Sequence, residues 1–308
     1  MDSSESVSGL LERLRPNAFG IAYRMLGSVS DAEDVVQEGL LRLHRAMQGE
    51  EVITSPQAFL ATVVTRLCID ELRSARVRRE GYLGEWLPEP LIDRSDGVAE
   101  RPELAESLGM AFLVVLETLT PEQRAVFLLR DVFDYGYGEI GEIVGKSEAA
   151  CRQIAVRARA RVLERRPHFE VRPEQHEQLT RRFFAAIEQG ELAPLEALLA
   201  EEVSLHGDGG GKAPALARAL QGRGAVARAL LNWRRAGDRA GGFTVEPTWV
   251  NGQLGALIRS AEGAVLSVWS IDVADGRIQA VRAVVNPDKL RHVAGAGDFG
   301  AWLRRGRD

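Results

Sequence analysis

A pair of short helical segments in the middle of the chain constrains the fold more than any other stretch. Residues 137–144 carry apolar side chains at helical spacing, Gly145 and Lys146 form a tight turn, and Ser147 can cap a second helix. Two helices joined by a short turn that contains glycine make a helix-turn-helix. Between residues 152 and 166 the second helix holds six arginines and one acidic residue, which favours a place in a DNA groove.

The two ends of this second helix are expected to contact DNA in different ways. Four residues at its N-terminal end are predicted to meet base edges, where sequence is read: Ser147, Glu148, Arg152 and Gln153. Three arginines farther along would lie nearer the phosphates: Arg157, Arg159 and Arg161. Ile154 and Val156 are expected to pack inside the protein. A capping box of Thr120 and Gln123 predicts where the preceding helix begins.

Two helices of opposite charge are predicted in the first 80 residues. DAEDVVQEGLLRLHRA (31–46) begins with acidic residues, and Ser30 or Asp31 can cap it. Its acidic side chains would equally suit a solvated surface. PQAFLATVVTRLCIDELRSARVRRE (56–80) ends strongly basic. Its arginines suit contacts to phosphates, which contribute affinity without reading sequence: Arg66, Arg73, Arg76, Arg78 and Arg79.

Composition excludes several classes of protein. The sequence has no apolar run of about 18 residues, so no membrane span is predicted. The N-terminus has no basic and apolar signal-peptide regions, so a cytoplasmic protein is expected. Cys68 and Cys151 lie far apart without metal-ligand spacing, and neither a metal nor another cofactor is predicted. The net charge of −5 argues against general coating of nucleic acid, although local basic patches remain compatible with it.

Three consecutive glycines before Lys212 resemble a phosphate-binding loop. A Walker loop needs a glycine five positions before its Gly-Lys pair and a hydroxyl residue after the lysine. His206 and Ala213 occupy those two positions, so a nucleotide-binding loop is excluded. From the residues alone, DGGGK (208–212) could be an ordinary glycine turn with solvated charges at Asp208 and Lys212.

A third domain is predicted from about residue 174. Two amphipathic helices, a short strand and another helix precede four strand-like runs. Those runs are separated by hairpin signals at Asn251-Gly252, Glu262-Gly263 and Asp275-Gly276. Helices followed by a meandering antiparallel sheet indicate an α+β domain with helices on one face of a curved sheet. This arrangement looks like the SnoaL-like cone, a fold that encloses a pocket.

The acidic helix, the basic helix and the helix pair together resemble regions 2 and 4 of extracytoplasmic-function (ECF) sigma factors. The resemblance implies that the acidic helix contacts the clamp helices of core RNA polymerase through Asp31, Asp34, Gln37 and Glu38. It also implies that the 56–80 helix opens and reads the −10 element and that the 147–161 helix reads the −35 element of promoter DNA. Phe59 stands where the family usually has Trp, and Arg66 where Asn is common.

The motifs WLPEP, DGGGK and NPDKL (286–290) are similar to the hallmarks of SigJ-type ECF sigma factors, which carry a fused SnoaL-like domain. The resemblance implies that this domain regulates the sigma factor. It also implies that the glycines of DGGGK form a flexible contact surface, with Asp208 and Lys212 as opposite charges at its rim. Trp86 and Leu87 of WLPEP are expected to dock on a neighbouring surface, because apolar side chains are costly in water. Regulatory contacts are predicted at Trp86, Leu87, Asp208, Gly209, Gly210, Gly211, Lys212, Asn286, Asp288 and Lys289.

The fold class expected is therefore multidomain. It comprises an all-α region 2 (1–80), a linker with WLPEP (81–103), an all-α region 4 with the helix-turn-helix (104–167), an α+β SnoaL-like cone (174–292) and a tail (293–308). The expected partners are core RNA polymerase, promoter DNA and a small-molecule ligand in the cone, with no membrane. Two alternatives stay open: a SnoaL-like enzyme with His206 and Asp208 as acid–base groups, and a ligand-sensing helix-turn-helix regulator.

Overall fold

The computed structural model divides into two compact units. It describes residues 7–49, 53–79, 81–92, 109–165 and 172–305. The first unit comprises Met1–Glu80 and Phe112–Arg165, and the second comprises Gly81–Ala111 and Arg166–Asp308. Residues 93–103, the second part of the predicted linker, lie outside the described residues. Among the described helices, none is long and apolar enough to cross a bilayer.

The first unit is built from helices. They are α1 (Val7–Leu26), α2 (Val29–Met47), α3 (Pro56–Arg79), α4 (Met110–Leu116, whose first two residues fall in the second unit), α5 (Pro121–Phe127), a π-helical turn (Leu128–Val132), α6 (Tyr137–Val144) and α7 (Glu148–Arg165). The capping box of Thr120 and Gln123 begins α5 as predicted. The predicted cap of α2 is wrong: Ser28 accepts the backbone N–H of Asp31 at 3.2 Å, so the helix begins before Ser30.

The predicted helix-turn-helix is present in the first unit. Gly145 ends α6 in the left-handed conformation, which the absence of a side chain permits. The hydroxyl of Ser147 accepts the N–H of Ala150 at 3.2 Å and so caps α7. The two helices bury one apolar cluster, formed by Val126, Leu129, Ile140, Ile143, Cys151 and Ala155.

The second unit combines helices with one six-stranded sheet. Its elements are α8 (Pro173–Gln189), α9 (Leu192–Leu198), β1 (Leu199–Asp208), β2 (Leu220–Gln221), α10 (Arg223–Arg239), β3 (Phe243–Val250), β4 (Gln253–Ser260), β5 (Val265–Ala274), β6 (Arg277–Val284), a 3₁₀ turn (Pro287–Leu290) and α11 (Phe299–Arg304). The strand order is β2-β1-β6-β5-β4-β3. Strands β3 to β6 form the predicted antiparallel meander, whereas β1 pairs with β6 in parallel.

Aromatic side chains fill the space between the helices and the sheet of this α+β unit, which we call the cone. The ring of Trp233 lies 4.6 Å from that of Phe243 and 5.0 Å from that of Trp269, between centroids. The helix α11 belongs to this packing, because Phe299 and Trp302 join a buried cluster with Phe243 beside them. Residues that the sequence analysis sets apart as a tail therefore contribute to the core of the unit.

Candidate functional site

The helix α7 has one face toward the protein and one toward solvent. Cys151, Ala155, Ala158 and Val162 are buried. The residues predicted to meet base edges are exposed on the opposite side: Ser147, Glu148, Arg152 and Gln153. Arg157 is exposed as well, and Arg159 is half-buried. The structure thus brings the predicted DNA contacts of this helix onto a single accessible surface.

Val156 was predicted to pack inside the protein, and that prediction is wrong. Its side chain is 63% exposed, whereas Ile154 is half-buried against the apolar cluster. Helical geometry gives the reason, because the inward positions Cys151 and Ala155 are four residues apart and Val156 follows the second by 100°. Val156 therefore lies on the accessible surface with Arg152 and Gln153.

Two arginines of α7 are positioned by neighbours within the same unit. Arg152 forms an ion pair with Glu148, and its guanidinium lies 5.3 Å from the ring centroid of Tyr137. Arg159 donates to Asp131 of the π-helical turn at 2.8 Å, and this hydrogen bond raises the pKa of the guanidinium. Arg152 is thus oriented at the turn of the helix pair, whereas Arg159 is anchored to the body of the unit.

The acidic helix α2 presents its predicted polymerase contacts to solvent. Asp34 and Gln37 are exposed, Asp31 and Glu38 are half-buried, and Glu38 pairs with Arg42 at 2.7 Å. Leu41 is 43% exposed, one turn after Gln37 on the same face. Sequence reasoning missed Leu41, because its spacing also fits the buried stripe of the helix.

The arginines of α3 contact the helices that follow in the same unit. Arg66 donates to the carbonyl oxygens of Glu142 at 2.8 Å and Ile143 at 2.9 Å, at the end of α6. Arg73 donates to Glu122 of α5 at 2.6 Å and to Asp70 at 3.4 Å. The hydrogen bond from Arg73 lowers the pKa of the Glu122 carboxyl. The side chains of Arg76, Arg78 and Arg79 lie outside the described part of the structure.

The second unit contains a built polar site around Asp208. Its carboxylate accepts the N–H of Leu87 at 2.8 Å, the ammonium group of Lys289 at 2.7 Å and the hydroxyl of Tyr82. Lys289 also donates to the carbonyl of Leu87, and its Nζ lies 4.1 Å from the ring centroid of Trp86. WLPEP, DGGGK and NPDKL therefore meet through these five residues.

We call residues 81–92 the strap, because they run along the cone from the end of β1 to the β3–β4 turn. Asn251 in that turn donates its N–H to the carbonyl of Leu91 at 2.8 Å and accepts the N–H of Leu91 at 3.1 Å. His292 lies 2.7 Å from the carbonyl of Pro90. Near the other end, Glu85 lies 2.6 Å from His206 of β1. The strap is thus held at both ends.

The prediction that Asp208 and Lys212 are opposite charges at a rim is wrong for Asp208. The Asp208 side chain is 0% exposed because the strap covers it, and the ammonium group of Lys289 compensates its charge. Lys212 is exposed and pairs with Asp288, and the hydrogen bond from Lys212 lowers the pKa of that carboxyl. The sequence alone could not assign the partner of Asp208, since Leu87 lies 121 positions away.

The glycines of DGGGK form a defined turn, and their role as a contact surface stays a prediction. The N–H groups of Lys212 and Ala213 both donate to the carbonyl of Gly209, at 2.9 and 3.0 Å. Gly210 and Gly211 have φ values of +57° and +71°, which residues with side chains rarely adopt. A Cβ atom on Gly210 would lie 2.2 Å from the Asn286 amide nitrogen, so the turn also needs the space.

Comparison with known proteins decides the family. Residues 10–78 match the model of Sigma-70 region 2, and residues 109–162 match that of Sigma-70, region 4. Over 290 residues the chain is 40% identical to the ECF RNA polymerase sigma factor SigJ of Mycobacterium tuberculosis (strain ATCC 25618 / H37Rv), covering 91% of each protein. This chain belongs to the ECF sigma factors.

Two further comparisons agree with that assignment. The crystal structure of Mycobacterium tuberculosis SigJ has a TM-score of 0.74 and 36% identity, covering 94% of this chain and 99% of that one. The probable ECF sigma factor SigI of Mycobacterium tuberculosis (strain CDC 1551 / Oshkosh) is 36% identical over 197 residues, 63% of this chain and 67% of that protein. The predicted fold class, two helical sigma regions and a C-terminal α+β cone, is confirmed.

The assignment settles the general function. As an alternative sigma factor, the protein directs transcription initiation and is not an enzyme. The alternative of a SnoaL-like enzyme with His206 and Asp208 as acid–base groups is therefore rejected. In the structure His206 contacts Glu85 of the strap and Ser204, and Asp208 is paired with Lys289. Both side chains hold the strap on the cone of this sigma factor.

We predict that Lys289→Met releases the strap, because it leaves the Asp208 carboxylate buried without its cation. Removing one partner of a buried ion pair costs about 3–5 kcal/mol, so the N–H of Leu87 should exchange with solvent at least about 100-fold faster. Hydrogen exchange resolved at Leu87 measures this. Lys212→Met is the control, because Lys212 is exposed and pairs with the half-buried Asp288 of NPDKL. Equal exchange in the two variants would contradict the role of Lys289.

Proposed function

We propose that this sigma factor binds core polymerase and the two promoter elements through three separate surfaces. The exposed face of α2, with Asp34 and Gln37, binds core RNA polymerase. The arginines of α3 hold the −10 element, and the exposed face of α7 reads the −35 element. The observation that carries the proposal is the division of α7 between a buried side and a side formed by the candidate DNA contacts.

Asp34→Arg is expected to weaken binding to core polymerase by roughly ten-fold or more, because a reversed charge would face a basic partner surface. Titration of labelled protein with purified core measures the affinity. Glu33→Arg is the matched control, since Glu33 is also exposed on α2 but lies about 100° around the helix from Asp34. If the two variants bind core alike, α2 is a solvated helix without a specific partner.

The α7 surface offers both hydrogen-bonding and apolar contacts. Arg152 and Gln153 can bond to base edges, and Val156 beside them can contact a methyl group in the major groove. Arg157 would lie against the phosphates. Arg159 would have to exchange Asp131 for a phosphate, so its contribution is smaller than that of a fully solvated arginine.

Arg152→Ala should therefore reduce affinity for one promoter position and Arg157→Ala should reduce it for all sequences. The loss for Arg152 is about 1–3 kcal/mol and should disappear on duplexes altered at its own base pair. Arg157→Ala should lower the salt dependence of binding by about one ion. Binding to a set of single-base promoter variants at two salt concentrations distinguishes the two. Equal losses for both variants on every duplex would reject the assignment.

We further propose that the cone regulates the sigma factor through the strap. The strap is part of the chain that joins α3 to α4, so its attachment to the cone restricts the connection between region 2 and region 4. A tethered domain acts at an effective concentration of roughly millimolar, which keeps even a weak contact populated. Separating the buried pair of Asp208 and Lys289 would leave an uncompensated buried charge, which disfavours release of the strap.

Lys289→Met should accordingly change promoter output, whereas Lys212→Met should not. In vitro transcription with purified core polymerase and the full-length variants tests this, and we expect a difference of about two-fold or more. The promoter sequence recognised should stay the same, because α7 is unchanged. Wild-type output from Lys289→Met, with the strap released as judged by exchange at Leu87, would reject regulation through the strap.

We also propose a small-molecule ligand of the cone, and the packing of the cone limits what that ligand can be. The rings of Trp233, Phe243 and Trp269 occupy the space between the helices and the sheet. A ligand that enters this space must displace at least one ring. Such a ligand would be apolar and flat, because it would replace aromatic contacts.

A further inference from the structure

The ring of Tyr137 lies where side chains from three consecutive elements of region 4 meet. Tyr137 is the first residue of α6, and its side chain is half-buried. The guanidinium carbon of Arg152, on α7, lies 5.3 Å from the ring centroid. That of Arg130, in the π-helical turn, lies 5.5 Å from the same centroid. One aromatic ring thus attracts a cation from the element before α6 and a cation from the element after it.

The hydroxyl group of Tyr137 lies close to a third arginine. Arg159 of α7 donates to Asp131 at 2.8 Å. That hydrogen bond is the main reason why the pKa of Arg159 is raised, and the Tyr137 hydroxyl is near enough to raise it further. A phenol oxygen can accept from a guanidinium while the face of its ring attracts another cation. Tyr137 is therefore beside both of the α7 arginines that neighbours hold in place.

The ring of Tyr137 is a fixed point against which Arg152 can be oriented. It packs against the apolar cluster that the helix-turn-helix buries. Arg152 also pairs with Glu148, but the two side chains are 62% and 51% exposed, so water competes with this ion pair. The ion pair joins two residues of one helix. The ring belongs to a different helix, so it is the contact that restricts the guanidinium to the side of α7 that faces α6.

The two exposed arginines that are proposed to contact DNA differ in this respect. Arg157, expected at the phosphates, donates to the carbonyl of Gln153 in its own helix at 3.4 Å. Arg152, expected at a base edge, contacts a neighbouring helix. A phosphate accepts an arginine from many directions, whereas two hydrogen bonds to one base require a defined position of the guanidinium. A cation–π contact uses none of the N–H donors, so Arg152 keeps them for the base.

We propose that Tyr137 is a positioning residue for promoter recognition, whose ring holds the Arg152 guanidinium in place to read one base pair of the −35 element. The proposal rests on the proposed function of α7 in reading that element. It deepens that function, because discrimination at one base pair then depends on a residue of α6 that reads no base itself.

Tyr137→Leu removes the ring and keeps an apolar side chain for the cluster. Without the ring, Arg152 must be ordered when it binds its base, which costs side-chain entropy. A cation–π contact at an exposed site shifts an equilibrium about two- to five-fold. The preference for the correct base pair over the other three should therefore fall about two- to five-fold at the position that Arg152 reads. Preferences at the other positions should not change.

Two further variants separate the ring from the hydroxyl and from packing. Tyr137→Phe keeps the ring, so it should keep the wild-type preference at the position that Arg152 reads. Tyr135→Leu is the matched control, because Tyr135 is also half-buried and packs against the same apolar cluster. A loss of packing alone should weaken binding to every duplex by the same factor, and Tyr135→Leu measures that effect.

The measurement uses the full-length variants in holoenzyme reconstituted with core polymerase. The probes are promoter duplexes that the wild-type holoenzyme selects from a library randomised over the −35 element, each then changed to all four base pairs at every position. Arg152→Ala identifies the base pair that Arg152 reads, as the position where preference is lost. In the Arg152→Ala background, Tyr137→Leu should have no further effect on the preference at that position, because the two residues act through one contact.

The proposal predicts a loss of preference that is confined to the Arg152 position, present in Tyr137→Leu and absent from Tyr137→Phe and Tyr135→Leu. A wild-type preference at that position in Tyr137→Leu would overturn it. An equal loss at every position, as in a packing defect, would overturn it as well, and so would the same loss in Tyr137→Phe. If Arg152→Ala loses preference at no base pair, the proposed function of α7 is itself refuted, and the role of Tyr137 is refuted with it.

Discussion

The carboxylate of Asp208 and the ammonium group of Lys289 are almost removed from water, and the strap depends on them. Two charges of opposite sign can be buried together only if their remaining hydrogen-bonding positions are filled. Leu87 fills two of them from its backbone, by donating its N–H to Asp208 and accepting a hydrogen bond from Lys289 at its carbonyl, and the Tyr82 hydroxyl donates to Asp208 as well. The requirement fixes the register of the strap, since a shift by one residue would leave both charges without these partners.

The first unit uses charge in a different way. Its surface contacts between arginines and acidic groups are open to water, so they can be exchanged for contacts to another polyanion. The side chains of Asp208 and Lys289 are almost inaccessible to water, at 0% and 8% exposed. One chain therefore contains a buried ionic contact, which positions a segment, and solvent-exposed ionic contacts between its helices.

Local patterns predicted the elements of this fold well, because their determinants lie within a few residues. The capping box at Thr120, the turn at Gly145 and the hairpin at Asn251-Gly252 are examples. Predictions were wrong where two neighbouring residues could fill the same role, or where the packing of distant segments determines which side chain is buried. Ser28 and Ser30 are both residues that can cap α2, and the extended backbone lies at Ser28, which makes it the cap. The position of Val156 depends on which side of α7 packs inward.

The candidate functional residues also divide into those that local spacing predicts and those that depend on distant segments. The exposed residues of α7 and α2 follow from helical spacing and could be predicted, whereas the burial of Asp208 depends on a segment that lies 121 positions before it. The contacts of Arg66 and Arg73 were beyond sequence reasoning as well, because both arginines fit a solvated basic helix equally well. Their partners on α5 and α6 become neighbours only when the helices pack.

The parallel pairing of β1 with β6 has a consequence for how this architecture can vary. Parallel neighbours end at the same edge of a sheet, so the segments that follow β1 and β6, DGGGK and NPDKL, emerge side by side with Asp208 opposite Val284. An antiparallel pair would send them to opposite edges. Because side chains alternate between faces, inserting or deleting one residue in the paired part of β1 would turn Asp208 toward the helices and away from the strap. Length in this strand is thus more tightly constrained than residue identity, whereas the β5–β6 turn at Asp275 can lengthen without moving either motif.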